Sequence, residues 1–165
     1  MFQPKQISLA AVPEALEKAE RYRLLNEPAE AESICLDILS VDPENQQAII
    51  TLLLAVTDRF SKGYSVSETQ SKELLPRIKG EYERAYYTGI VAERRGKAKL
   101  TAARHFSQSQ AYDCLREAMD WYEKAEAVRP PENDDALLRW NTCARLIAQN
   151  KLTGREEERV ELPLD

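Results

Sequence analysis

Glycine is scarce in this chain, with 5 in 165 residues, and neither GxGxxG nor GxxxxGKS/T occurs. Loops that cradle phosphate with backbone N–H groups therefore have no sequence to build them. Histidine occurs once, as His105, and HExxH and ExxH are both missing, so the common zinc-ligand spacings are missing too. The three cysteines, Cys35, Cys114 and Cys143, stand far apart and form no CxxC. Each falls on an expected apolar helix stripe, where Cys packs as a small hydrophobe. An odd count of unpaired spacing fits a reducing compartment. No serine sits in a nucleophile elbow. The carboxylate groups Glu81 with Glu83, and Glu156 to Glu158, read as solvated helix faces. No catalytic residue, cofactor or metal ligand is expected.

Long apolar runs are lacking as well. The longest, Ala48–Val56, is too short to span a bilayer. Met1-Phe2-Gln3-Pro4-Lys5 carries no basic stretch followed by an apolar one. The expectation is a cytoplasmic protein with no membrane partner. Positive charge is in deficit: the net charge is -5, with much of the acidity before Arg59. General nucleic-acid binding needs a basic surface, so it is not expected.

What the chain does have is helical periodicity. Hydrophobic residues make up 43% and charged residues 31%, a globular balance. Apolar residues at Val12, Ala15, Leu16, Ala19 and Tyr22 predict a helix over about 13–25. Asn26 ends it, and Pro28 opens a second helix carrying Ala31, Ile34, Cys35 and Ile38 on one face. Asp42 is expected to cap the third helix, about Glu44 to Phe60, with Pro43 in its first turn. That helix is apolar nearly all round, which predicts burial on several sides. The region 67–79 reads as helical, with Pro76 either kinking it or starting a new helix. Glu81 to Lys99 is firmly periodic, whereas Leu100–Gln110 reads as a loop or frayed extension. Two further helices follow, with stripes Ala111 to Ala125 and Ala136 to Ile147. Trp140 lies on the last stripe and is expected in the core. Residues 1–150 are expected to form one domain, and 151–165 a polar, mobile tail.

Two stretches repeat a pattern. Ala31, Cys35, Ile38 and Pro43 share their spacing with Ala118, Tyr122, Ala125 and Pro130. The second set matches in full the second helix of the tetratricopeptide repeat (TPR): a small residue, an aromatic, another small residue, then Pro. Ala19 with Asn26, and Gly89 with Gly96, fit the family's first helix and its turn. Over about Val12–Arg145 the chain therefore resembles the TPR family, with an excess of roughly half a repeat near residues 97–113. The resemblance implies an all-α fold, a short TPR-like α-solenoid of antiparallel helix pairs, about six to seven helices with a C-terminal capping helix. A non-solenoid helical bundle is the other reading.

The resemblance also implies a concave groove lined by the first helix of each pair. Carried over by spacing, its lining is Leu16, Glu20, Arg23 and Leu24, then Ile50, Leu54, Thr57 and Asp58, then Tyr86, Ile90, Glu93 and Arg94. This lining is largely apolar. A non-enzymatic protein-interaction module is expected, binding a peptide or helix through the groove or forming a homo-oligomer. The same face is open to coverage by the chain's own extra segment. Two alternatives remain. The basic run Arg94, Arg95, Lys97, Lys99, Arg104 offers RNA or an acidic ligand a contact, or is simply a solvated helix end. An enzyme with an unrecognised site is the other. Trp121, beside the stripe residue Tyr122, is a candidate interface anchor.

Overall fold

The computed structural model describes residues 1–62, 65–102 and 105–154, without the side chains of residues 62, 65, 66, 105 and 106. Among the described residues there are seven α-helices and no strand. They fall into two compact units, Met1–Phe60 with Tyr64–Lys79, and Ser61–Gly63 with Gly80–Asp165. Within each unit successive helices run antiparallel and pack on their chain neighbours.

The first unit holds α1 (Val12–Leu24), α2 (Pro28–Val41), α3 (Gln46–Thr57) and α4 (Ser65–Leu74). Asn26 sits at φ 61, the left-handed region. The Glu27 N–H then reaches back to the Tyr22 carbonyl at 2.9 Å, closing the α1 terminus. Pro28 starts α2, where no N–H is needed. The α2–α3 turn departs from expectation. Asn45, not Asp42, caps α3: its Oδ1 accepts the Ala48 N–H at 2.9 Å. Asp42 closes α2 and accepts the Asn45 side-chain amide at 2.9 Å. Pro43 lies in the turn because the chain needs those residues to reverse direction before α3 begins.

α3 packs against α1, α2 and α4, which accounts for its apolar surface. Val12, Leu16, Ile38 and Ala48 form a core cluster, with Ile7, Ala15, Ile34, Leu39 and Val41 against it. Tyr22, expected on the apolar face, is exposed. Pro76 ends α4 without kinking it; a 3-10 turn, Leu75–Arg77, follows. Gln46 then ties this segment to the start of α3. Its Oε1 accepts the Lys79 N–H at 2.9 Å and its amide donates to the Arg77 carbonyl at 3.2 Å.

The second unit holds α5 (Glu81–Thr101), α6 (His105–Ala127) and α7 (Asp135–Gln149). Leu100–Gln110 is therefore mostly helix, not loop. Its apolar pattern is weak because buried Ser107 and Ser109 take the place of apolar residues. Pairing of two long helices decides the matter over local pattern. The extra residues lengthen the hairpin instead of forming a separate insertion. Small residues set its register. A Cβ at Gly89 would lie 2.5 Å from Tyr122 Cε1, and one at Gly96 would lie 3.0 Å from Leu115 Cγ. α7 packs on α6 through Ala136 and Cys143, both fully buried. Beyond it Lys151 turns left-handed at φ 50, and Leu152 is buried. Trp140 is not in the core. It is half-buried, and its indole N–H donates to Glu123 at 3.0 Å. Residues 155–165, most of the expected tail, lie outside the described residues.

Candidate functional site

Two places stand out, one in each unit. In the second, Glu93 on α5 is 1% exposed, set among buried Ile90, Val91, Ala92 and Gly96. Buried charge is costly unless paired, and here it is paired on three sides. The Tyr122 phenol donates to Oε2 at 2.6 Å, Lys97 Nζ donates to Oε1 at 2.5 Å, and an Arg139 guanidinium nitrogen lies 3.4 Å from Oε1. Burial, and next Glu93, push the Tyr122 phenol well above its ordinary range. Arg139 also bonds Tyr86, whose phenol is raised chiefly by burial.

An aromatic ladder continues from this cluster. Tyr86 packs tilted on Tyr122 at 5.9 Å, stacks with Tyr82 at 5.8 Å and meets Tyr87 edge-on at 5.1 Å. Tyr82 donates to Asn133 at 3.2 Å, which joins α5 to the turn before α7. Burial first, then Asp135, pushes the Tyr82 phenol up to about 12. Both oxygens of this carboxylate are committed to partners within the fold. The arrangement works as a clamp that joins α5, α6 and α7.

In the first unit a cavity of about 650 Å³ opens to solvent between the start of α1 and the α2–α3 turn. Its walls include Leu9, Val12, Leu16, Glu17, Asp42 and Asn45. Leu9 is 64% exposed, while Val12 and Leu16 are buried beneath.

The residues expected to line a groove divide by environment. Leu16 and Ile90 are interior. Arg23 is half-buried and paired with Asp58 at 2.9 Å. Ile50, Leu54, Tyr86 and Arg94 are half-buried, Thr57 is buried, Glu20 is exposed, and Leu24 is 74% exposed. The basic run is partly neutralised: Lys97 engages Glu93, and Arg95 lies 3.4 Å from Glu117. Lys99 is half-buried, and Arg104 and the His105 side chain lie outside the described residues. Trp121 is half-buried, with the Lys124 ammonium 4.0 Å above its ring.

Burial pushes the Cys35 and Cys143 thiols up to about 12, and also raises half-buried Cys114. A thiol held protonated is a poor nucleophile. Among the described residues, no group of three His, Cys, Asp or Glu is placed to hold a metal ion. No described helix is long and apolar enough to cross a membrane.

Spacing along α5 put Glu93 among groove residues, but its partners were not anticipated. The available signal was a lone acid in the run Ile90-Val91-Ala92-Glu93 followed by Gly96. Of the cavity walls only Leu16 was foreseen as a ligand contact. Against family models, curated proteins and solved structures alike, the chain finds no match.

Proposed function

We propose that the chain is a non-enzymatic protein-interaction module of TPR-like construction. The observation that carries this reading is the α5–α6 hairpin. There Gly89 receives Tyr122, and Gly96 receives Leu115. Small residues meeting large ones across a helix pair are what the repeat signature demands, and Tyr122 is its aromatic position. The helix order within each unit, each packed on its chain neighbour, agrees with this. Solenoids of this kind use their helix faces to hold peptides or helices. Within the first unit Glu20 and Leu24 are exposed, and within the second Tyr86 and Arg94 are half-buried; each set is a separate candidate contact face, while Leu16 and Ile90 are buried.

The test is affinity capture from lysate with wild type, Leu24→Asp and Tyr86→Ala, alongside light scattering for self-association. The expected result is a partner set, or an oligomer, that wild type retains and the variants lose. Identical profiles for all three would remove the groove. A monomer that captures nothing, or a co-purifying cofactor, would turn the reading toward catalysis.

A further inference from the structure

Most cations of the second unit have partners. Lys97 and Arg139 engage Glu93, Arg95 engages Glu117, Arg116 engages Asp120, Arg129 engages Asp134, and Lys124 lies over the Trp121 ring. Arg84 and Arg94 are partnered as well. Among the described residues this leaves Lys99, Arg145 and Lys151, all at the end where α5 and α7 finish. Lys99 sits in the last turn of α5, where the helix dipole favours a cation. Arg145 has no such account, because it lies before the last turn of α7, which holds no basic residue. It is exposed and faces outward, opposite buried Ala136 and Cys143. Leu138, 61% exposed, stands two turns before it on the same face.

The chain leaves α7 turning back. Lys151 is left-handed at φ 50, and the Leu152 N–H reaches the Ile147 carbonyl at 3.0 Å. Leu152 is buried, and Gly154 lies against Tyr112 of α6, where an added Cβ would be 3.3 Å from the ring. Trp140 bonds Glu123 across these antiparallel helices, so Tyr112 is level with about residue 151. Gly154 has therefore stopped advancing along the α7 axis. Measured back from that level at about 1.5 Å per residue, Arg145 is about 9 Å away and Leu138 about 20 Å. An extended chain of about 3.3 Å per residue reaches about 7–13 Å from Gly154 at Glu156–Glu158, and about 20–26 Å at Val160–Leu162. Acids and aliphatic residues thus meet the cation and the leucine in the same order. Val160, Leu162 and Leu164 alternate with Glu161 and Pro163, so an extended segment presents one apolar edge.

We infer that residues 155–165 fold back along the outward face of α7, with Glu156–Glu158 against Arg145 and Lys151, and Val160 and Leu162 over Leu138. Tethering at Gly154 gives an effective concentration on the order of a millimolar, so a weak contact is enough to hold the segment. Docked, it closes this face of α7 to outside partners, whichever way the interaction-module reading falls.

The test is methyl nuclear Overhauser (NOE) spectroscopy on the full chain with isotope-labelled Leu and Val. NOEs are expected from the Leu138 methyls to those of Val160 or Leu162. Reversing both charges, Arg145→Glu with Lys151→Glu, should abolish them. Raising NaCl to about 1 M, where the screening length is about 3 Å, should weaken them by about twofold or more. Val160→Ser with Leu162→Ser alters only the segment, and should move the Leu138 methyl shifts to the positions seen in the charge-reversed protein. Lys124→Glu makes the same charge change at an exposed site at the other end of the unit and should leave the NOEs in place. No NOE from the segment to α7, or NOEs to α6 alone, would overturn the inference. So would NOEs that survive the double charge reversal, or that Lys124→Glu also abolishes, which would mean diffuse attraction. Mixing labelled with unlabelled chain separates copies: NOEs found only between chains would overturn docking within one.

Discussion

The Tyr122 phenol on α6 donates a 2.6 Å hydrogen bond to Oε2 of Glu93 on α5, and each residue is 1% exposed. Neither group can fall back on water; Lys97 and Arg139 serve Oε1 of Glu93, and the phenol is the partner of Oε2. Removing a donor from a buried charged acceptor costs about 1–3 kcal/mol. Tyr122→Phe should therefore destabilise the protein by that amount in urea denaturation. Arg139→Ala should cost less, under about 1 kcal/mol: its side chain is 34% exposed, its contact with Glu93 is a long 3.4 Å, and the Tyr86 phenol it also bonds is only half-buried. The reverse order would show that the guanidinium, not the phenol, holds the carboxylate.

The same phenol gives a pH signature. Its folded-state pKa is raised, so the folded protein keeps a proton that the unfolded chain releases near pH 10. Stability from this group is complete below about pH 10 and falls as pH climbs above it. Tyr82, raised to about 12, acts in the same sense. Denaturation midpoints measured between about pH 8 and pH 11 should fall for wild type, and fall less steeply for Tyr122→Phe. Parallel curves would remove Tyr122 as the source.

Gly89 tests the helix register. Gly to Ala inside a helix ordinarily gains about 1 kcal/mol. Here the new Cβ would sit 2.5 Å from the Tyr122 ring, which the bond to Glu93 holds in place. Overpacking costs about 1–3 kcal/mol, so Gly89→Ala should be neutral to destabilising, never a gain. Ala118→Trp and Ala125→Trp, both at fully buried positions, should lose at least as much in thermal melts.

At the α2–α3 turn, Asn45→Ala should cost about 1 kcal/mol, the usual loss for an N-cap. Asp42→Ala should cost less, since Asp42 supports the cap without bonding the helix N–H. Chemical denaturation of the two single variants decides between them.

Thiol labelling with an aromatic disulfide near pH 8 should modify Cys114 first. Cys35 and Cys143, with pKa values pushed up to about 12, should react only once the protein unfolds. Fast labelling of either would mean the surrounding helices open readily.

Features that a few neighbouring residues control were readable from the chain. The Asn26–Pro28 turn is an example, because left-handed backbone and a first-turn proline are local demands. The burial of α3 was readable for a related reason: a helix with no polar face has nowhere to present to water. Asp42 was misjudged because Asp and Asn cap equally well. Which one does so depends on how the turn closes. Leu100–Gln110 was misjudged because its serines carry no apolar signal, though the hairpin buries them. Trp140 was misjudged because periodicity marks a stripe without saying whether a ring fits behind it. Small Ala136 and Cys143 take the tight contact, and the indole finds Glu123.

By itself the sequence determined the helices and most of their ends, though Gly96, expected at a turn, lies inside α5 against Leu115. Helices and ends follow from propensity and capping, which act over a few residues. Only the tertiary structure decided that Glu93 is buried and clamped by Tyr122, Lys97 and Arg139. It alone brought Leu9, Glu17 and Asp42 to one cavity, because α1 and the α2–α3 turn meet only once the helices fold back on each other. A helix face looks the same in sequence whether water, a neighbouring helix or a partner covers it; the packing distinguishes them.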